Sequence, residues 1–209
     1  MSRYTGPKNK LARREGVDLG LKTVGTKAHA KLLKRINIIP GMKKAKKFNS
    51  KQSDYGKQLR EKQKIKRIYG VAEKSMKHYF EKAVKTKGNT GEALIHLLEH
   101  RLDNIVYRLH MAPTRTSARQ LVNHGHMMVD GNKVSIPSYE VSNGAVITFR
   151  RQSTCDIPYI KVCLEEKNIT LPSWLKRSGA AGEVAGMPHM DEYQEPVNLA
   201  LVIEYYSKL

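Results

Sequence analysis

Four polar residues stand close together in this chain: Arg115, Arg119, Gln120 and Asn123. Guanidinium forks match phosphate bidentately, and carboxamides can meet sugar or base edges, so the chemistry these residues could do is to hold folded RNA. On a helix, steps of four and five residues put Arg115, Arg119 and Gln120 on broadly one face. A merely solvated charged face has the same spacing, and spacing alone leaves the two readings even. Other reactive types are sparse. His96 and His100 lie four apart but lack the glutamate of a His-Glu-x-x-His pair, so they read as surface or packing residues. Cys155 and Cys163, with seven residues between them, supply neither a disulfide framework nor four metal ligands, and read as reduced, partly buried thiols. No phosphate loop, nucleophile elbow or dinucleotide fingerprint occurs.

The charge distribution names the partner class. Lys and Arg number 38 against 19 Asp and Glu in 209 residues, a formal charge of +19. Residues 1–90 hold 26 cations and 6 anions, whereas residues 91–209 hold 12 and 13, so the whole excess lies in the first part. Such asymmetry is the footprint of a nucleic-acid binder, each phosphate contact releasing counterions. A membrane surface would call for a basic helix with a strong apolar face or a lipid anchor, and Ser2 is not the glycine that myristoylation needs. No apolar run of about 18 residues occurs, which predicts a soluble, unexported chain. Hydrophobic residues make up 40% of the sequence, enough for part of it to fold.

Several elements must position these groups. Gly6-Pro7, Gly16, Gly20, Gly25 and Pro40-Gly41 break residues 1–50 into short pieces that look like an arm. Lys43-Lys44-Ala45-Lys46-Lys47 has no apolar face and reads as a flexible loop or an RNA-ordered run of charge. A helix should start at Ser53-Asp54 and run to Tyr69, with Gly70 ending it. A second should carry Val71, Met76, Tyr79, Phe80 and Val84 inward. Leu94, Leu98, Leu102, Ile105 and Leu109 predict one amphipathic helix over 92–109, opened by Asn89 with Glu92. A short helix from Thr114 or Thr116 to Asn123 should end at a left-handed Gly125. His126–Val129 and Asn132–Ile136 flank Asp130-Gly131 as a hairpin, and Asn143-Gly144 precedes the strand-forming Ala145–Phe149.

The blocks Arg101-Leu102-Asp103-Asn104-Ile105-Val106-Tyr107-Arg108-Leu109, Thr114-Arg115, Ala118-Arg119-Gln120-Leu121-Val122, His124-Gly125-His126 and Ile136-Pro137-Ser138-Tyr139 closely resemble the bacterial small-subunit ribosomal protein S-four family and its alpha-L RNA-binding motif. The likeness extends to Arg3-Tyr4-Thr5-Gly6-Pro7, Arg13-Arg14-Glu15-Gly16, Ser53-Asp54-Tyr55-Gly56, Leu59–Lys64, Pro172-Ser173-Trp174-Leu175 and the stretch from Pro196 to Ser207, and so covers nearly the whole chain. It implies a structural protein that binds the five-prime domain of small-subunit ribosomal RNA early in assembly. It also implies a cytoplasmic place in the ribosome, beside ribosomal protein S-five and other small-subunit proteins, with a part in translational accuracy. Neither a membrane nor a small-molecule substrate is implied, and a bacterial origin is not separated from an organellar one. Many relatives hold zinc through an N-terminal cysteine cluster. No cysteine precedes Cys155, so a metal-free version without cofactor is expected. Where relatives usually carry Gly after the long helix, this chain has His110.

The expected fold is α+β: a basic arm over 1–50, a helical RNA-binding domain over 51–90, an alpha-L module of two helices on a short twisted sheet over 91–155, and a segment over 156–209 that packs back on the helical domain. RNA contacts are expected from Arg3, Lys8, Lys10, Arg13, Arg14, Lys43, Lys44, Lys46 and Lys47 of the arm, and from Tyr55, Lys57, Gln58, Arg60, Lys62, Lys64, Lys66, Arg67 and Tyr69 of the helical domain. In the module they are Arg101, Arg115, Ser117, Arg119, Gln120, Asn123, His124 and Lys133. The first-half cations should give sequence-independent affinity, and Arg115, Arg119, Gln120 and Asn123 should fix register. Arg101-Leu102-Asp103 also resembles the catalytic tripeptide of pseudouridine synthases, but Leu102 falls on the apolar stripe and no catalytic domain is visible, so no enzyme is expected. A free regulatory RNA-binding protein is the alternative.

Overall fold

Several helix starts in this chain are set by side chains that satisfy the first free amides. In the computed structural model, which describes residues 4–41, 53–166 and 169–208, Ser53 accepts from Gly56 N, Asn89 from Gly91 N, Thr114 from Ser117 N and Asn198 from Leu201 N. The elements run α1 Lys8–Glu15, α2 Lys27–Leu33, α3 Asp54–Ile68, α4 Glu73–Lys85, α5 Thr90–Glu99, α6 Leu102–Arg108, α7 Arg115–Asn123, β1 Met127–Val129, β2 Asn132–Lys133, β3 Val146–Phe149, α8 Gln152–Cys155, α9 Pro158–Glu165, β4 Leu175–Ser178, β5 Ala181–Val184 and α10 Leu199–Ser207. The fold is α+β. The chain divides into two units, Met1–Gly91 with Glu195–Leu209, and Glu92–Gln194.

The first unit is helical. Ile65 and Ile68 of α3, Met76, Phe80 and Ala83 of α4, and Val202, Tyr205 and Tyr206 of α10 are buried, with the Phe80 and Tyr206 rings stacked 5.0 Å apart. Gly70 ends α3 at φ 61°. Val84, expected inside, is exposed because Ala83 takes the inward position. Nor are residues 4–41 a bare arm: Ala12, Leu19, Leu21 and Leu32 are buried. The Lys43–Lys47 run lies outside the described residues.

In the second unit one antiparallel sheet of order β2-β1-β3-β5-β4 packs on α6 and α7 through Leu102, Ile105, Leu109, Leu121, Val122, Met127 and Ile147. Asp130 and Gly131 turn β1 into β2 with φ 48° and 77°, the two left-handed residues a type I′ hairpin demands. Gly182 of β5 has a different reason to be glycine, since a Cβ there would collide with Leu109.

Two expectations are corrected. The single helix over 92–109 is two helices. Residues 137–141 run past the junction and take its ladder groups: Leu102 N donates to Tyr139 O at 2.9 Å, Asp103 N to Pro137 O at 3.2 Å, and Val141 N to His100 O at 2.9 Å. Arg101 is extended there and bridges Glu140. The four-and-three leucine spacing survives because Leu94, Leu98, Leu102, Ile105 and Leu109 are all buried. The segment after 155 also does not travel as one piece. β4 and β5 extend the module's sheet, and only the last residues, carrying α10, lie against α3.

Candidate nucleic-acid interface

Many of the expected RNA-contacting cations are engaged by carboxylates of the chain itself. On α3, Arg60 Nη1 stands 3.3 Å from Glu15 Oε1, and Arg67 pairs with the same oxygen. The Glu15 side chain is fully enclosed, and its Oε2 has no hydrogen-bond partner among the described residues. Burial pushes this carboxyl above its ordinary range, against the pull of Arg67, Arg60, Lys64 and Arg14. Glu73 joins α4 to the same helix, Oε1 accepting from Lys62 Nζ and Oε2 from Lys66 Nζ, both at 2.8 Å. Burial alone would raise the Glu73 pKa, but the two ammoniums hold it at about 2. Tyr206 also donates to Glu73 at 3.0 Å, and burial and that carboxylate push its hydroxyl well up.

Gln58, Lys62 and Tyr69, three expected contacts, are buried within this helical unit. Lys62 also lies 4.7 Å over the Tyr205 ring, so it belongs to the α3–α10 packing. Lys10, Arg14, Tyr55 and Lys57 are exposed, although Lys57 pairs with Asp54 at 2.9 Å. Lys8 and Arg13 are half-buried, with Arg13 Nε donating to Ile38 O at 2.8 Å. Lys64 pairs with Glu61. Arg3, Lys43, Lys44, Lys46 and Lys47 lie outside the described residues.

The module shows the same pattern more sharply. Arg101 donates through Nε and Nη2 to Asp103 at 3.1 and 2.8 Å, and Arg119 Nε stands 3.5 Å from the same carboxylate. Arg115 Nε donates to Asn104 Oδ1 at 2.8 Å, and its guanidinium covers the Tyr107 ring at 4.5 Å. Asn104 Nδ2 donates to Glu99 Oε2 at 2.8 Å, and Glu99 is gripped bidentately by Arg108 at 3.0 and 2.9 Å. The face expected from the four-and-five spacing is therefore divided. Arg115 is buried and Arg119 leans on Asp103, while Gln120, Asn123, His124 and Lys133 remain exposed. Ser117 is half-buried, its amide capped by Thr114 at 3.2 Å.

Sequence reasoning missed Arg150 and Arg151, both exposed at the end of β3. Their only sequence signal was adjacency to a strand-forming run. It also missed Arg177, whose fork donates to Leu109 O at 3.1 Å, Leu164 O at 3.0 Å and Gly179 O at 2.9 Å. Cys155 and Cys163 are free thiols, both pushed up by burial. Among the described residues no group of three or more His, Cys, Asp or Glu could hold a metal ion, and no helix is long and apolar enough to cross a membrane.

A helical unit rich in surface cations, joined to two helices on a small antiparallel sheet, is the build of a ribosomal RNA-binding protein with an S4 module. Family models agree: residues 3–99 match the "Ribosomal protein S4/S9 N-terminal domain" and residues 100–147 the "S4 domain". The chain is 47% identical over 216 residues to the small ribosomal subunit protein uS4 of Aquifex aeolicus. It is 45% identical over 210 residues to that of Neisseria meningitidis serogroup C and 43% to that of Chromobacterium violaceum, with each chain covered in full. The chain belongs to the uS4 family of small ribosomal subunit proteins, a structural family and not an enzymatic one.

Proposed function

We propose that this protein is a structural constituent of the small ribosomal subunit in the cytoplasm, and a primary binder of the five-prime domain of its RNA that nucleates assembly. The observation that carries the reading is the surplus of 20 positive charges over residues 1–90, in a chain that matches uS4 relatives along its full length. Exposed cations of that part, with Lys43, Lys44, Lys46 and Lys47, supply phosphate affinity, and the module fixes register. Within the subunit the protein lies beside ribosomal protein S-five and supports accurate decoding.

The test is binding of the full chain to a five-prime-domain RNA fragment and to a random RNA of equal length across a salt series. A preference of about a thousandfold that persists at high salt is expected. Equal affinities that collapse together with salt would leave only a general polyanion binder.

A further inference from the structure

Internal pairing decides which cations of the sheet unit are available to a polyanion. Arg101, Arg108, Arg119 and Lys161 each meet a carboxylate, Arg115 meets Asn104 and Tyr107, and Arg177 is spent on backbone carbonyls. Among the described residues of this unit, Lys133, Arg150, Arg151 and Lys176 have no such partner. Two of these four, Lys133 and Arg150, share one face, and Arg151 follows Arg150 in the chain.

Strand register puts them there. Met128 pairs with Lys133 on one side and with Thr148 on the other. Met127 and Val129 are buried, so Met128, Lys133 and Thr148 share the outward face. One step further, Arg150 N donates to His126 O at 2.8 Å, which places Arg150 and His126 on that same face. Thr154 Oγ1 lies 3.2 Å from His126 Nδ1 and fixes the ring, with the His124 ring 6.2 Å away. Lys133 is held too. Its stem crosses Gly125, where a Cβ would come within 2.6 Å of Lys133 Cε, and the φ of 70° favours glycine at that position. Asp130, at the β1–β2 turn, accepts from Val146 N at 2.8 Å. Glu183 sits opposite Val146, at the far end of β3 from Arg150.

We propose that this outward face of β1, β2 and β3, with Lys133, Arg150, His124 and His126, and the exposed Arg151 that follows it, is the surface by which the module grips the phosphate backbone of RNA. Arg115 and Arg119 instead hold the module together from inside. The inference rests on the RNA-binding reading above and names the surface that serves it.

The experiment compares the full chain with a Lys133→Gln, Arg150→Gln, Arg151→Gln variant on the five-prime-domain fragment across a salt series. A thermal melt checks that both are folded. The variant should lower the slope of log affinity against log salt by about 2 and weaken binding at low salt about tenfold or more, since each phosphate contact contributes roughly 0.7–0.9 to that slope. A double Arg150→Gln, Arg151→Gln variant keeps Lys133 over Gly125 and should lose about two-thirds of that. An unchanged slope in a folded variant overturns the proposal. So does loss of binding to a polyglutamate peptide with the RNA slope intact, which would assign the face to an acidic protein. If the unaltered chain shows no preference for the five-prime fragment, the ribosomal reading fails, and the slope difference still decides the surface.

Discussion

Arg119 of α7 sets its Nε 3.5 Å from the carboxylate of Asp103 on α6, an oxygen pair that Arg101 already holds. Asp103 is thus a buried anion shared by two guanidiniums, and it ties α7 to the start of α6. Arg119→Ala leaves Arg101 in place and should cost about 1–2 kcal/mol, whereas Asp103→Ala strands Arg101 in the interior and should cost about 3 kcal/mol or more. Urea midpoints of the two variants test this order. Equal losses would mean that Arg119 contributes as much as the anion itself.

Glu73 makes stability acid-sensitive. Its folded pKa of about 2 lies below the ordinary 4.5, so the ionised form stabilises the native state above pH 4.5 and that contribution is lost as pH falls through about 2. With the side chain nearly half exposed, solvent screening limits the effect to about 1–2 kcal/mol. Glu15 has the opposite sign: its folded pKa is raised, so protonation relieves the native state. Glu73→Gln should therefore flatten the fall in urea midpoint between pH 4.5 and 2, and Glu15→Gln should remove a gain that appears as pH falls toward 4.5.

His110 adopts φ 52°, the left-handed conformation that costs a side chain about 1–2 kcal/mol. Glycine avoids that strain but loses more entropy on folding, so His110→Gly should gain up to about 1 kcal/mol in a thermal melt. Burial also holds the imidazole below its ordinary 6.5, with Glu166 opposing. The native state thus loses stability as pH falls through that lowered value. The glycine variant should lack this acid-side loss.

Arg177 closes the ends of two helices at once, donating to Leu109 O and His110 O after α6 and to Cys163 O and Leu164 O on α9. Burial lowers its pKa, with Cys163 and Glu166 opposing. Arg177→Ala should cost about 2–3 kcal/mol, because charge-assisted bonds to partly buried carbonyls are lost together. Arg177→Lys should recover little, since an ammonium cannot span the fork. Full recovery in a chemical melt would show that charge alone matters.

Periodicity, caps and turn chemistry are local, and the sequence alone determined them. The four-and-three leucine spacing located the buried stripe, Ser53, Asn89 and Thr114 marked helix starts, and Asp130-Gly131 marked the hairpin. The charge count over residues 1–90 likewise pointed to a polyanion partner, because a net excess needs no coordinates. What only the tertiary structure decided is which charges remain available. Spacing cannot show that Asn104 and Asp103 meet Arg115 and Arg119, and only strand register sets Arg150 opposite His126 on the face that carries Lys133. The break at Arg101 has the same origin: residues 137–141 supply the groups that end one helix and begin the next. Long-range pairing redistributes charge and hydrogen bonds that local sequence can only count.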